Sequence, residues 1–184
     1  MMEKKEYTLT VFTEHQTGVL QRVVTVFTRR HINVEALTTS QSSIEGIHRF
    51  TIKVLVTEDM VNKLVAQLDK QVDVLKSYAY ENNEIVHQEL ALYKVPLEAF
   101  TAGQQLEKLV RKHNARILEI EPEFVVIEKT GQQHETEALL DELKEEVGIY
   151  EFVRSGRVAI IKPMERLNKY LKSLEEEAAL STWT

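Results

Sequence analysis

Apolar residues at the start of the chain follow first a period of two and then a period of three to four. In residues 7–13, Leu9 and Val11 alternate with Thr8, Thr10 and Phe12, a period of two that predicts a strand. The spacing then changes to i, i+3, i+4 and i+7, which predicts an amphipathic helix beginning near Gly18. Its apolar positions are Leu20, Val23, Val24 and Phe27. A helix N-terminus is therefore expected at the end of the first strand.

The two periods continue as far as residue 82. Extended runs at 33–41 and 50–56 flank a polar, turn-like segment at 42–46, which predicts a hairpin. Thr57 is a candidate N-cap for a second helix, and residues 72–80 return to a strand pattern. The order β-α-β-β-α-β predicts a ferredoxin-like unit, an antiparallel sheet with both helices on one face.

The same order of elements appears a second time. Strand patterns are predicted at 86–95, 115–121, 124–128 and 149–153, with helical stripes at 106–113 and 139–143. The fold class is therefore α+β, with two tandem ferredoxin-like (βαββαβ) units plus a C-terminal helix. The predicted domains are residues 1-82, 83-162 and, for the helix and tail, 163-184. The helix from Met164 either packs on a neighbour or is solvated and frays after Glu177.

Composition restricts the function classes. The chain contains no cysteine, so it has no thiol nucleophile, disulfide or Cys-based zinc site. Its formal net charge of -6 argues against broad affinity for nucleic acids or anionic membranes. The N-terminus leads directly into a strand pattern without an apolar signal core, and we expect a soluble, cytoplasmic protein.

No residue pattern typical of catalysis is present. The six histidines are scattered singly, without the i, i+4 spacing of a helical metal pair, and no phosphate-binding glycine loop or nucleophile elbow occurs. The β-α-β-β-α-β order also builds RNA-binding modules, but Phe50 and Phe124 are single aromatic residues outside the motif of those modules. We expect no catalytic residues, no metal site and no nucleic-acid partner.

The turn before the first helix offers a possible ligand site. The first helical N–H groups have no partner within the helix, and with the helix dipole they favour an anion such as a carboxylate. Gly18 has no Cβ, so a small ligand can approach the backbone there. The alternative is that Thr17 caps the helix and Gly18 only eases the turn.

Four motifs in order across both units are similar to a known family. The chain resembles the small, regulatory subunit of acetolactate synthase, also called acetohydroxyacid synthase, and its first unit resembles an amino-acid-sensing ACT domain. The resemblance covers nearly the whole chain up to the C-terminal helix. It rests on Gly18–Val23 with Asn33–Thr38, on Val72–Lys76, on Glu89–Val95 and on Glu151–Gly156.

The resemblance implies a regulatory role without chemistry of its own. Such subunits form a homodimer through their ACT domains, bind valine or a related effector there, and activate and feedback-inhibit a large catalytic subunit in valine, leucine and isoleucine biosynthesis. The cofactors expected in that partner are thiamine diphosphate, Mg²⁺ and FAD, with none in this chain. The effector-binding residues implied are His15, Gln16, Thr17, Gly18, Val19, Leu20, Asn33 and Val34. Asn33 would offer its amide oxygen to the ammonium group of the effector.

Two positions depart from the family pattern. His15 stands where many members have Asn, and His31 stands where they often have Gly. His15 is larger than Asn and can carry a charge, which leaves the identity of the effector open. At His31 the loss of Gly removes an easy left-handed helix end, so we expect the helix to end differently.

Two other function classes are weighed against the regulatory subunit. The first is a free-standing ACT-type sensor that regulates another enzyme or transcription, and the matched second unit argues against it. The second is a small metabolic enzyme with tandem ACT-like domains, for which the chain offers no nucleophile, metal site or cofactor loop.

Overall fold

The computed structural model of the protein describes residues 3–101 and 105–162, and it contains two mixed α/β units. The first unit has the order β-α-β-β-α-β, and its strands form an antiparallel sheet in the order β2-β3-β1-β4. This is the predicted ferredoxin-like arrangement. Its elements are β1 (Lys5–Glu14), α1 (Val19–Thr28), β2 (Ala36–Gln41), β3 (Ile47–Val56), α2 (Glu58–Leu68) and β4 (Val74–Tyr80).

The core of the first unit lies between one face of the sheet and the two helices. Leu9 and Val11 of β1 are fully buried, as the alternation of their strand predicts. From α1, Val23 and Phe27 are buried against them, while Leu20 in the same predicted stripe is 45% exposed. The spacing of apolar residues therefore predicted the buried faces of β1 and α1 correctly, except at the first turn of α1.

The second unit repeats the arrangement with a different first connection. Its sheet has the order β6-β7-β5-β8, and among the described residues the helical segments α3 and α4, on either side of residues 102–104, follow its first strand. The elements are β5 (Ile85–Pro96), α3 (Glu98–Thr101), α4 (Gln105–Lys112), β6 (Arg116–Ile120), β7 (Phe124–Gly131), α5 (Gln133–Glu146) and β8 (Glu151–Arg154). The prediction of two βαββαβ units is confirmed, while the predicted C-terminal helix lies outside the described residues.

A final strand, β9 (Val158–Ile161), pairs with β5. Contacts divide the described residues into a first unit of 3–86 with 159–162 and a second unit of 87–158. Within the first unit, the Arg49 guanidinium donates a hydrogen bond of 2.6 Å to the Ala159 carbonyl. Ala159 is buried in a small cluster with Tyr80 and Ile85. The end of the described chain thus completes the unit with which the chain began.

The end of α1 corrects one expectation. His31 itself adopts the left-handed conformation, with φ 54°, in place of the glycine that the family pattern suggests. The Ile32 N–H donates to the Phe27 carbonyl at 3.1 Å, and the His31 N–H donates to the Thr28 carbonyl at 3.0 Å. This is the bonding of a Schellman motif. The helix therefore ends in the usual way, and a non-glycine residue carries the strain of the left-handed position.

Candidate functional site

The turn between β1 and α1 leaves the N-terminus of α1 without a side-chain cap. Gly18 is the N-cap residue in the left-handed conformation, with φ 84° and ψ −3°. Gly18 has no side chain to cap the helix, and within the described residues the Thr17 hydroxyl does not accept a hydrogen bond from the first turn, which the alternative interpretation required. Thr17 and Gly18 are both exposed. The Val19 N–H, the first of α1, donates to the Gln16 carbonyl at 3.3 Å, and the N–H groups that follow it in the first turn are left for an external acceptor.

Two other helices have their N-termini satisfied from within the chain. The Thr57 hydroxyl accepts a hydrogen bond of 3.4 Å from the Met60 N–H at the start of α2. Helix α5 begins with a capping box between Gln132 and Glu135. Both helices also have a carboxylate in the first turn, whereas α1 has none. The start of α1 is thus the less stabilised arrangement and the one that suits an external carboxylate.

Arg22 brings a cation to this turn, and the sequence analysis did not single it out. Its Nη1 lies 3.2 Å from the position that a Cβ on Gly18 would occupy. Its Nε lies 2.5 Å from Oδ2 of Asp73, a buried residue just before β4. The Asp73 carboxylate therefore holds the guanidinium over the helix start. The sequence spacing could have predicted this position, because Arg22 lies four residues after Gly18, which is one helical turn along the same face.

The first part of the turn is held against the hairpin between β2 and β3. The His15 N–H donates to the Gly46 carbonyl at 3.0 Å. The His15 ring stacks on the His48 ring, with centroids 3.9 Å apart and planes 8° from parallel. Gln16 donates a 2.7 Å hydrogen bond from its side chain to the Glu14 carboxylate. His15 and Gln16 are exposed and therefore accessible, but their contacts within the chain also hold the turn in place.

The remaining predicted site residues are divided between the two ends of α1. Val19 is buried in the core and Leu20 is exposed at the helix start. Asn33, which is exposed, and Val34, which is half-buried against the core, follow the helix end and precede β2. A helix of the length of α1 spans about 15 Å. Within one chain the helix therefore separates Gly18 at its start from Asn33 beyond its end.

The second unit uses its matched motif residues to hold its own strands and helix together. Buried Glu89 on β5 accepts a 2.5 Å hydrogen bond from the Thr136 hydroxyl of α5. Arg154 lies 3.5 Å from Glu89 and 3.0 Å from Glu137. The Ser155 hydroxyl accepts a hydrogen bond from the Leu90 N–H at 3.1 Å. The Arg-Ser-Gly signature thus has a structural role that pairs β8 and α5 with β5.

A buried phenol completes this network. The Tyr93 hydroxyl donates a 2.7 Å hydrogen bond to the Thr136 carbonyl. Burial raises the pKa of Tyr93, and the nearby Glu89 carboxylate raises this pKa further, so the phenol stays protonated at neutral pH. A protonated, fully buried donor of this kind suits a structural role.

Metal-binding clusters and membrane-spanning helices are both absent from the described part of the chain. No group of three or more His, Cys, Asp or Glu side chains in residues 3–101 and 105–162 could hold a metal ion. In that same part of the chain, none of the helices has the length and apolar character needed to cross a membrane.

Comparison with known proteins identifies the family. Residues 9–76 match the model of the AHAS small subunit-like ACT domain, and residues 88–163 match that of the small subunit of acetolactate synthase. The chain is 36% identical to the acetolactate synthase small subunit of Bacillus subtilis over 86% of this chain and 91% of the relative. It is 35% identical to the corresponding protein of Mycobacterium bovis over 86% and 94% of the two chains.

A solved structure agrees with these sequence matches. The crystal structure of the small subunit of acetolactate synthase from Thermotoga maritima superposes with a TM-score of 0.79 and 26% identity. The match covers 88% of this chain and 99% of that one. The predicted resemblance is confirmed, and the chain belongs to the family of acetolactate synthase small subunits.

Proposed function

We propose that this chain is the regulatory subunit of an acetolactate synthase, in the biosynthesis of valine, leucine and isoleucine. It activates a large catalytic subunit and makes that subunit sensitive to inhibition by valine. Thiamine diphosphate, Mg²⁺ and FAD belong to the partner and supply the condensation chemistry there. The observation that supports the proposal most directly is the match of both units to small-subunit relatives over more than four fifths of the chain.

The effector site that we propose begins at the N-terminus of α1. The uncapped N–H groups of the first turn donate hydrogen bonds to the carboxylate of the amino acid, and the guanidinium of Arg22 adds a favourable charge. Gly18 is exposed and has no Cβ, so the carboxylate can approach the backbone beside the Arg22 guanidinium. Leu20, exposed beside this turn, provides apolar surface for a branched side chain.

Asn33 and Val34 complete this site from a second copy of the chain. Their separation from Gly18 by the length of α1 requires such an arrangement if all the proposed residues contact one effector. In the first unit β2 is an edge strand, and edges of this kind pair with other strands. We therefore propose a homodimer formed side by side through the ACT domains, with the effector between its two members.

The second unit carries part of the contact with the large subunit. Leu90 on β5 and Val153 on β8 are 39% and 51% exposed, and both strands belong to the same sheet. Exposed apolar side chains on a sheet are suited to cover by another protein. The proposal assigns the effector to the first unit and this contact to the second.

Reconstitution tests the proposed function. Acetolactate formation is measured with the cognate large subunit alone, with this chain added, and with each branched-chain amino acid. We expect the chain alone to form no acetolactate, the mixture to turn over faster than the large subunit, and valine to reduce that gain. A mixture no faster than the large subunit, with no response to any of the amino acids, would contradict the proposal.

A free-standing ACT-type sensor remains the alternative, and a pull-down separates it from the proposal. Recovery of a thiamine-dependent large subunit with the tagged chain supports the regulatory subunit. Recovery of a different biosynthetic enzyme or a transcription factor, with no large subunit, supports the sensor.

A further inference from the structure

A cleft beside α1 and the end of α2 lies along the helical face of the first unit. Its volume is about 660 Å³, within the range of roughly 300–1,000 Å³ that is usual for small-molecule sites. One wall is formed by residues of α1 that lie on successive turns of the helix. The other wall is formed by the C-terminal end of α2 and the residues that follow it. All lining residues lie within the first unit.

The lining of this cleft is strongly cationic. Its charged members are Arg22, Arg29, Arg30 and Lys70. Three glutamines and a threonine add further hydrogen-bond donors, and the lining within the described residues contains no Asp or Glu. This concentration of positive charge stands against a formal net charge of -6 for the whole chain. Such a local excess raises the concentration of small anions at the cleft.

Two of the four cations are held in place by neighbouring side chains. Arg30 donates from Nε to the Gln67 side-chain oxygen at 2.7 Å, and its Nη1 lies 3.8 Å from the sulfur of Met60. Arg22 is held by Asp73 at 2.5 Å. Guanidinium groups fixed in this way lose less conformational entropy when they bind an oxyanion.

The other two cations have charge available for a ligand. Arg29 and Lys70 are exposed and form no ion pair with the described part of the chain. Among the described residues only Arg22 of these four cations has a carboxylate partner, so repulsion between the other three is electrostatically unfavourable. A multivalent anion relieves that repulsion and accepts hydrogen bonds from several of these donors at once.

We propose that the cleft between α1 and the end of α2 binds a small multivalent oxyanion of the phosphate or polycarboxylate class. The concave shape and the volume favour a small molecule over an extended acidic peptide. This site is separate in its test from the proposed effector site, because binding is measured on the subunit alone and without amino acid. Failure of one proposal therefore leaves the other standing.

Calorimetric titration of the full-length protein tests the site, with pyrophosphate and citrate as the two probes. Arg29→Gln and Lys70→Gln each remove one cation that has no ion-pair partner among the described residues. The matched control is Lys108→Gln, which removes an exposed lysine from α4 in the second unit. Arg22 is left intact because it also lies at the proposed effector turn. Thermal melts confirm that every variant is folded.

We expect each cleft variant to weaken binding of the preferred probe about tenfold, and the double variant about a hundredfold, because each loses a charge-assisted hydrogen bond. The control should bind within twofold of the wild type. Tighter binding of pyrophosphate assigns the phosphate class, and tighter binding of citrate assigns the polycarboxylate class. The proposal is overturned if neither probe binds at millimolar concentration, if the double variant binds as the wild type does, or if hexaglutamate peptide binds while both small anions do not.

Discussion

The two units share one topology but treat the connection after their first strand differently. In the first unit four residues join β1 to α1, and Gly18 leaves the helix start open. In the second unit Leu97 alone separates β5 from the short helix α3, and α4 follows. The second unit has no glycine at the position equivalent to Gly18. The fold is therefore common to both, and the ability to receive an anion at the first helix depends on this turn.

A charge placed at the open turn tests this comparison most strongly. We expect Gly18→Asp to weaken valine binding about a hundredfold, or about 2.7 kcal/mol, because its carboxylate occupies and repels the place of the effector carboxylate. The positive φ also makes any side chain there strained, so the free energy of unfolding should fall by about 1 kcal/mol. Calorimetry with valine and a thermal melt measure the two effects.

Gly18→Asn is the matched control for that charge. Asn has nearly the size of Asp and tolerates a left-handed conformation, but it is neutral. It should lose less affinity than Gly18→Asp at a similar stability. If the enzyme reconstituted with folded Gly18→Asp subunit is inhibited by valine as the wild type is, the proposed site is wrong.

A pair of threonine variants compares an open helix start with a capped one. Thr57→Ala removes the cap of α2 and should lower the free energy of unfolding by about 1 kcal/mol. Thr17→Ala, beside the uncapped start of α1, should change it by no more than a few tenths of a kcal/mol. Urea denaturation measures both. Equal losses in the two variants would show that Thr17 caps α1 in solution.

The helix ends of the two units provide a smaller test. Asn114 follows α4 in the left-handed conformation with φ 49°, as His31 does after α1 with φ 54°. Glycine adopts this conformation without strain, so His31→Gly should stabilise the protein by about 0.5–1 kcal/mol. Asn tolerates the conformation better than His, and Asn114→Gly should gain only a few tenths of a kcal/mol. Urea denaturation tests this comparison: the unfolding midpoint of His31→Gly should rise more than that of Asn114→Gly.

The smallest expected effect concerns the ionic contact between α5 and the end of α4 in the second unit. In the second unit, hydrogen bonding from Lys112, and next from His113, lowers the pKa of Glu142 on α5. A carboxyl group whose pKa is lower in the folded state than in the unfolded state stabilises the protein at pH values above its unfolded-state pKa. That stabilisation is lost as the pH falls through its folded-state pKa. Glu142→Gln should therefore be slightly destabilising at neutral pH, with the difference from wild type shrinking on acidification. A difference that stays constant from neutral to acidic pH would contradict this assignment.

Periodicity predicted most elements of both units, but not α3 or β9, because most helices and strands bury one face against the core of their own unit. It was less reliable at their ends. The second strand was predicted at 33–41, whereas pairing of β2 with β3 begins at Ala36. Strand ends depend on the partner strand, which the local pattern does not contain. The cleft along α1 was missed for a similar reason, since Lys70 joins Arg29 and Arg30 only after the helices pack.

The candidate site was predicted in part. The glycine turn was identifiable from a change of period and a missing Cβ, but the role of Arg22 depends on its contact with Asp73, about fifty positions away. The stacking of His15 on His48 likewise depends on tertiary structure. The assignment of effector residues itself stays a prediction.

The hydrogen bond from Arg49 to Ala159 has a consequence for synthesis on the ribosome. The two residues are 110 positions apart, so the acceptor is made roughly 5–20 s after the donor at usual elongation rates. Within that interval the rest of the four-stranded sheet of the first unit and then the whole second unit are translated before β9. Burial lowers the pKa of the Arg49 guanidinium in the finished protein, which reflects the cost of its desolvation. Nascent chains shorter than 159 residues lack this acceptor, so the unit made first is the last to be completed.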